Sequence, residues 1–135
     1  GTRIAGLPRH LFKVSADWQA LPGLTVGADL QAHARRGVAG NEDGRVEDGG
    51  DTGIDMSVPG YAVVNLRAAW KPASVTGLEF FARVTNLTNR RGGSFGALAE
   101  TQFDASGSFT GDGADALFVA PLAPRAFSLG LRLKF

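Results

Sequence analysis

The residues of this chain that could recognise a ligand cluster in one polar, glycine-rich segment, residues 89–124. Two arginines and four phenylalanines stand there: Arg90, Arg91, Phe95, Phe103, Phe109 and Phe118. Aromatic rings together with positive charge could bind a ligand by stacking and electrostatic attraction. The alternative is that the phenylalanines pack the segment onto itself. A connection of this length is usually functional or disordered. One part of it, residues 91–102, could instead continue the strand that precedes it.

Side chains that could perform catalysis are not arranged for it in this sequence. His10 and His33 have no serine and aspartate arrangement legible around them. The acidic run at residues 41–55 offers oxygen ligands, but its spacing does not fit the twelve-residue EF-hand loop, and we expect a solvated loop. We therefore predict no catalytic residue, no metal site, no cofactor and no enzymatic activity.

The composition indicates a folded, turn-rich chain without disulfides. Of the 135 residues, 44% are hydrophobic, 19 are glycine and none is cysteine. The net charge of +1 gives no global field that would attract nucleic acid, and we expect no nucleic-acid partner. No run approaches about 18 consecutive apolar residues, so the sequence predicts no transmembrane helix.

An alternation of apolar and polar residues predicts β-strands. In the last eleven residues, Phe127, Leu129, Leu131, Leu133 and Phe135 fall on one face, because successive side chains of a strand point to opposite sides. The pattern recurs four more times, and Phe81 is its exception. The predicted strands lie at about residues 9–19, 24–35, 61–71, 78–88 and 125–135. A strand of roughly 9–11 residues is long enough to cross a bilayer.

The connections between these strands alternate between short turns and long loops. The long loops are residues 37–58 and 89–124. Tight turns at one rim and large loops at the other are typical of a transmembrane barrel. Four aromatic residues on the apolar face would share one level near the short turns, as an interfacial aromatic girdle: Trp18, Trp70, Phe80 and Phe135. The opposite face is polar and mostly basic, which suits either a wet lumen or a solvated sheet.

Several short motifs follow one another in a defined order. They are Pro-Gly-Tyr at 59–61, Val-Thr-Asn-Leu at 84–87, Pro-Arg at 124–125 and the terminal Phe135. Their order, spacing and terminal placement resemble the final strands of a TonB-dependent outer-membrane receptor, and the resemblance spans nearly the whole chain. One departure is residues 89–93, Asn-Arg-Arg-Gly-Gly, where the family often begins a strand with Tyr.

The resemblance implies an all-β fold, an antiparallel up-and-down meander of about five strands that is a segment of a transmembrane β-barrel. Family barrels have about 22 strands and a plug domain, so residues 1–135 would be a C-terminal barrel fragment without the plug. The implied function is uptake of a metal chelate, iron–siderophore first, or of another scarce nutrient across the bacterial outer membrane.

The same resemblance implies four partners. They are outer-membrane lipid, the TonB complex through the missing N-terminal part, the barrel-assembly machinery, which would read Phe135 as its signal, and a small-molecule chelate. The residues alone leave a second interpretation open, a self-contained soluble β-sandwich or small-barrel binding module. The two interpretations differ in whether lipid or a second protein layer covers the apolar face.

Overall fold

A computed structural model describes residues 4–40 and 57–135 of the chain. The described residues form nine strands: β1 Leu11–Leu21, β2 Leu24–His33, β3 Arg36–Gly37, β4 Ser57–Val58, β5 Tyr61–Trp70, β6 Leu78–Thr85, β7 Gly93–Phe103, β8 Phe109–Pro121 and β9 Ala126–Leu133. None of these residues lies in a helix that is long and apolar enough to span a membrane.

The chain divides into two compact units. The first, here the sheet unit, comprises Leu11–His33, Tyr61–Arg91 and Ala123–Phe135. The second, here the loop unit, comprises Gly1–His10, Ala34–Gly60 and Gly92–Leu122. The sheet unit thus contains the predicted strands, and the loop unit is built mainly from the long connections between them.

The sheet unit is one five-stranded sheet with the order β1-β2-β5-β6-β9, in which every neighbouring pair is antiparallel. This confirms the predicted all-β, up-and-down meander. Its short turns depend on glycine, because Gly23 and Gly77 have positive φ angles of 79° and 83°. A Cβ on Gly23 would also lie 2.3 Å from the backbone carbonyl oxygen of Lys71, just after β5, and one on Gly77 would lie 2.4 Å from that of Lys134, just after β9, so a larger residue does not fit.

The register separates apolar from polar side chains across all five strands. Residues directly opposite one another share a face. One row of the apolar face consists of Trp18, Val26, Ala68, Ala82 and Leu129. The adjacent row of the polar face consists of Asp17, Gly27, Arg67, Arg83 and Ser128. A slip by one residue would exchange the two faces, so the alternation itself fixes the register.

The apolar side chains of the sheet are exposed on β1 and β9 and half-buried on β2 and on most of β5 and β6, and none of them is buried. Phe127 and Leu129 keep 70% and 85% of their surface accessible. Among the described residues, the fully buried hydrophobic side chains are Val38 and Val58, and both belong to the loop unit. Within the part of the chain that the structure describes, the apolar side chains of the sheet are therefore not packed in a dry protein core. This arrangement favours the barrel over the soluble sandwich, which would bury them.

The aromatic exception in the predicted pattern has a local reason. Phe81 lies on the polar face directly opposite Gly130. Its ring occupies the space above that glycine, since a Cβ on Gly130 would lie 2.3 Å from the ring atom Cζ. The ring thereby covers backbone that the missing side chain leaves open.

The loop unit contains two short sheets. β3 pairs with β4, and β7 pairs with β8 as a long antiparallel hairpin. Val38 and Val58 pack against Gly96, where an added Cβ would lie 2.9 Å and 2.7 Å from their methyl groups. The Gly96 carbonyl also accepts a hydrogen bond from the Ala39 N–H at 3.0 Å. Small residues here bring the hairpin close to the segment that follows β3.

The prediction that residues 89–124 form a loop is wrong for most of that segment, since β7 and β8 occupy 93–103 and 109–121. The strands carry many Gly and Ala residues, which weaken the apolar and polar contrast that identifies a strand. Three predicted strand ends are two or three residues too late: β2 ends at His33, β6 at Thr85 and β9 at Leu133. The first strand, predicted at residues 9–19, lies at Leu11–Leu21. The predicted loop 37–58 contains β4 at its end, and residues 41–56, which include the whole acidic run, lie outside the described residues.

Because the two faces of the sheet differ, a lysine should lower the free energy of unfolding by different amounts at two adjacent alanines of β5. Ala68 lies in the apolar row, Ala69 lies on the polar face, and both are half-buried. We expect Ala68→Lys to lower the free energy of unfolding in phospholipid vesicles by about 2 kcal/mol, because lysine would enter lipid. Ala69→Lys is the matched control and should cost less than about 1 kcal/mol. Equal costs, measured by urea titration, would contradict a lipid-facing apolar side.

Candidate functional site

The centre of the polar face holds an ion cluster that connects three strands. Arg67 on β5 donates two hydrogen bonds to Asp17 on β1, from Nε at 3.0 Å and from Nη2 at 2.7 Å. Its Nη1 also lies 3.3 Å from the Asp29 carboxylate on β2. One guanidinium thus bridges carboxylates from the first and second strands of the sheet, in the bidentate geometry that arginine favours.

Gly27 makes this cluster possible. It lies on β2 between Asp17 and Arg67 in the same row of the polar face. A Cβ at Gly27 would lie 2.3 Å from Asp17 Oδ1 and 2.5 Å from Arg67 Nε. The absent side chain therefore leaves a gap through which Arg67 crosses the whole width of β2.

The polar contacts continue from the ion cluster to the end of β6. Asn65 donates from Nδ2 to Asp29 at 2.7 Å, and its Oδ1 accepts the Asn86 N–H at 2.9 Å. The Asn86 amide then donates to the carbonyls of Arg90 and Ala123 at 2.9 and 2.8 Å, and its Oδ1 accepts the Arg90 N–H at 2.8 Å. Asn86 therefore links β5, the turn after β6 and the approach to β9.

Asn86 can serve this role because of its backbone conformation and burial. Its φ angle is +51°, a left-handed conformation in which asparagine is favoured among residues other than glycine, and only 3% of its surface is exposed. The neighbouring Asn89 repeats the conformation at φ +51° and accepts the Arg125 N–H at 3.1 Å. Both asparagines of residues 84–89 are thus turn residues whose side chains hydrogen-bond the backbone that joins the sheet's strands.

The predicted ligand-binding phenylalanines all lie on the hairpin of the loop unit. Phe95 and Phe118 share one face of it, since Phe118 pairs with Ala97 and Phe95 pairs with Ala120. Phe103 and Phe109 pair at the far end, where their rings meet edge to face with centroids 5.7 Å apart. All four side chains are exposed. The contact between Phe103 and Phe109 agrees with the alternative that the phenylalanines pack the segment onto itself. The ring of Phe95 lies close to Gly6.

The two predicted ligand-binding arginines belong to the sheet unit. Arg90 contributes its backbone N–H and carbonyl to the Asn86 turn, and the residue is exposed. Arg91, also exposed, is the last residue of that segment of the sheet unit. The ligand-binding role of the six candidates stays a prediction.

The end of the hairpin carries one carboxylate with a shifted pKa. Asp104 accepts hydrogen bonds from the Ser106 hydroxyl at 2.6 Å and from the Ser108 N–H at 2.9 Å. These hydrogen bonds, with the Ser106 hydroxyl as the largest cause, lower the pKa of Asp104 because they stabilise the ionised form. The contacts close a turn and do not create an acid or base for chemistry.

The candidate girdle residues lie in neighbouring rows of the apolar face. Trp70 and Phe80 are directly opposite each other, and their rings stack with centroids 5.7 Å apart. Trp18 lies one row farther from the short turns, because it pairs with Val26 whereas Trp70 pairs with Leu24. Phe135 follows β9 and is fully exposed. The four residues do not share one hydrogen-bonded row, and the girdle itself stays a prediction.

The sequence predicts a mostly basic polar face, and the structure adds that several of its cations are paired with carboxylates. Asp17, Asp29, Asn65 and Arg67 form one connected set, and Glu79 lies 3.3 Å from Arg132 at the short-turn end. Among the described residues, no group of three or more His, Cys, Asp or Glu side chains is arranged to hold a metal ion. The arrangement can hold strands in register and present charge, and it offers no nucleophile beside a base.

A single antiparallel sheet with one exposed apolar face and one charged, hydrogen-bonded face has the structure of a membrane barrel wall. The family of TonB dependent receptor-like beta-barrels has a sequence model that matches residues 1–87, more than half of the chain. The chain belongs to this family. TonB-dependent receptors are receptors and transporters of the bacterial outer membrane and are not an enzyme family. No curated protein matches the sequence.

Two solved structures share the fold. They are the open and closed forms of the ferric-catecholate import receptor Fiu from E. coli K12, each with a TM-score of 0.62 and 20% sequence identity. The alignments cover 93% and 95% of this chain, but only 15% and 14% of the Fiu chains. The chain therefore spans about one seventh of the length of these neighbours.

The gap at Gly27 predicts a specific coupling between residues 27 and 67. Gly27→Ala would displace Arg67 from Asp17, and we expect a modest loss of stability, because the ion pair is partly exposed. In a variant that also carries Arg67→Met, the same alanine should cost much less, because no guanidinium crosses the gap. Urea unfolding in phospholipid vesicles measures both values.

Gly37→Ala is the control for this double-mutant cycle, because no atom lies within 4 Å of the added Cβ. It should leave stability nearly unchanged. If the losses in the free energy of unfolding caused by Gly27→Ala and Arg67→Met simply add in the double variant, the absent side chain at residue 27 and the Arg67 guanidinium are not coupled, which would contradict this prediction.

Proposed function

We propose that this chain is the C-terminal barrel part of an outer-membrane receptor that takes up a metal chelate, with an iron–siderophore complex as the first candidate. The observation that carries the proposal is the two-faced, five-stranded sheet of a family whose members are receptors. The likeness to a ferric-catecholate import receptor supports iron chelates as the class to test first.

The ligand would meet the exposed aromatic side chains of the β7–β8 hairpin. Phe95 and Phe118 lie on the same face, with Ala97 and Ala120 between and beside them. Short side chains next to two rings leave room for a planar group to stack. Phe103 and Phe109 would extend the aromatic surface of the hairpin. Arg90 and Arg91, in the sheet unit, are separate candidates that would offer positive charge to an anionic ligand.

The partners follow from the same proposal. Outer-membrane lipid would cover the apolar face, and the barrel-assembly machinery would read the exposed Phe135. The TonB complex would act through a part of the receptor outside these 135 residues. No residue of this chain is assigned to that contact.

The placement of the aromatic residues supports the proposed girdle. The aromatic position shifts along the strands from β1 to β9. Trp18 lies before the end of β1, Trp70 is the last residue of β5, and Phe135 lies beyond the end of β9. Barrel strands tilt by about 35–45°, so residues at one height must be staggered along successive strands. A staggered series of aromatics is therefore compatible with one interfacial level.

Transport in the source bacterium tests the function. Deleting the gene should reduce uptake of one radiolabelled ferric chelate at least about tenfold, and the intact gene should restore it. The Phe95→Ala/Phe118→Ala variant should raise the half-saturating chelate concentration about tenfold, since two lost aromatic contacts at about 0.7 kcal/mol each remove about 1.4 kcal/mol.

Val75→Ala is the control for the uptake assay, because this exposed residue lies in a short turn of the sheet unit. It should transport as the wild type does. Unchanged uptake of every ferric chelate in the deletion strain would refute the chelate proposal, and uptake that depends on a different nutrient would replace the substrate class.

A further inference from the structure

A group of three exposed arginines lies in the sheet unit at the end that carries the long connections, where β6 ends and β9 begins. They are Arg90, Arg91 and Arg125. The Asn86 amide donates to the carbonyls of Arg90 and Ala123 at 2.9 and 2.8 Å. The Asn89 side chain accepts the Arg125 N–H at 3.1 Å. These hydrogen bonds hold the two chain segments side by side, so arginines that are distant in sequence form one group.

No acidic residue compensates the charge of this group. Residues 80–99 and 116–135, which contain the end of β6 and all of β9, include no Asp and no Glu. Within residues 4–40 and 57–135, no carboxylate lies within 4 Å of these three guanidinium groups. Arg67 and Arg132 of the polar face differ in this respect, since each lies beside a carboxylate. The arginine group therefore presents its positive charge to an external anion.

Arg125 brings this charge to the border of the apolar face. Phe127 lies on that face opposite Val84, and Arg125 precedes it by two residues, so the two share a side of the strand. The guanidinium carbon Cζ of Arg125 lies 5.8 Å from the centroid of the Phe127 ring, within the range of a cation–π contact. The ring is largely exposed. The Arg125 guanidinium thus lies at the surface of the face that lipid would cover.

The length of the last strand places Arg125 at the outer boundary of the bilayer. Arg125 and Phe135 are the first and last residues of the alternation that includes β9. A tilted strand of about 9–11 residues crosses the apolar layer. In barrels of this kind the short turns face the periplasm and the long loops face outward. With Phe135 at the inner boundary, Arg125 lies where the head groups of the outer leaflet begin.

We propose that Arg90, Arg91 and Arg125 form a binding site for an outer-leaflet lipid whose head group carries phosphate monoesters. The planar fork of an arginine matches two oxygens of one phosphate. A monoester carries close to two negative charges at neutral pH, whereas the phosphodiester of an ordinary phospholipid carries one. Grouped arginines without a carboxylate therefore favour the monoester. The proposal shares one premise with the proposed function, that lipid covers the apolar face.

A lipid fits this site better than a soluble anion, because apolar surface adjoins the charge. From Arg125 the same face of β9 continues through Phe127, Leu129 and Leu131, all of which are exposed. Acyl chains can lie along these side chains while the head group contacts the arginines, and each buried methylene adds to the affinity. Free phosphate would leave the apolar side chains uncovered. The neighbouring charge and apolar surface thus match the two parts of a lipid.

Native mass spectrometry of the complete receptor tests the site. The protein, extracted in detergent, is mixed with bisphosphorylated lipid A, with the same lipid after phosphatase treatment, or with phosphatidylglycerol. We expect at least about fivefold more bound bisphosphorylated lipid A than of either other lipid, because only its monoesters engage several arginines. Equal binding of the dephosphorylated lipid or of phosphatidylglycerol would overturn the proposal. Displacement of the lipid by an equal concentration of inorganic phosphate would assign the site to a soluble anion instead.

Glutamine variants test the arginines themselves. Arg90→Gln/Arg91→Gln/Arg125→Gln should reduce the bound bisphosphorylated lipid A at least about fivefold, and Arg125→Gln alone should reduce it about threefold. The single variant keeps the test valid if the triple variant does not reach the membrane. Arg83→Gln is the matched control, because Arg83 is an exposed arginine on the polar face of β6. Unchanged lipid binding in both glutamine variants, with normal amounts of folded protein, would exclude the site.

This test and the uptake test can fail separately. If the lipid binds as expected but no ferric chelate is transported, the lipid site stands and the substrate class falls. If uptake is normal and phosphates do not affect lipid binding, the lipid site falls and the receptor function remains. Glutamine variants that bind lipid normally but need more chelate for half-maximal uptake would assign the arginines to the chelate and would also overturn the lipid proposal.

Discussion

The exposed apolar face of the five-stranded sheet is the constraint on which the rest of the structure depends. A single sheet satisfies its backbone hydrogen bonds through its neighbours, but it does not bury its own side chains. The fully buried hydrophobic side chains among the described residues, Val38 and Val58, belong to the loop unit. The apolar side chains of the sheet therefore require an apolar environment, and a lipid bilayer provides one.

The polar face supplies what lipid cannot, a specific register. Lipid makes no directional contact, so the apolar face tolerates sliding in steps of two residues. The contacts of Arg67 with Asp17 and Asp29 exist in one register only, because Arg67 can cross β2 only at Gly27. Asn86 does the same at the other end of the sheet by joining β5, β6 and the approach to β9. The apolar face thus determines the environment of the sheet, and the polar face determines its register.

Much of this fold could be predicted from the sequence, because its strands alternate with period two. The alternation identified the five strands of the sheet, and the family motifs indicated a barrel wall. The cluster at Arg67 could not be found this way, since it joins residues 50 positions apart whose proximity depends on the register. Asn86 was noticed as part of a motif, but its role depends on a left-handed backbone that the sequence does not reveal. The β7–β8 hairpin can be predicted only in part, as a possible strand over residues 91–102, because Gly and Ala blur its alternation.

The central claim is that lipid covers the apolar face, and spin-label accessibility tests it most directly. The sequence contains no cysteine, so a cysteine introduced at one position of β2 at a time gives a single label. In phospholipid vesicles, labels at Val26, Ala28 and Leu30 should be accessible to oxygen dissolved in lipid, and those at Thr25 and Gln31, which lie on the polar face outside the ion cluster, should not. Alternation with period two is the predicted result. Apolar positions that are protected from both lipid-soluble and aqueous reagents would show a protein layer instead, and would contradict the account.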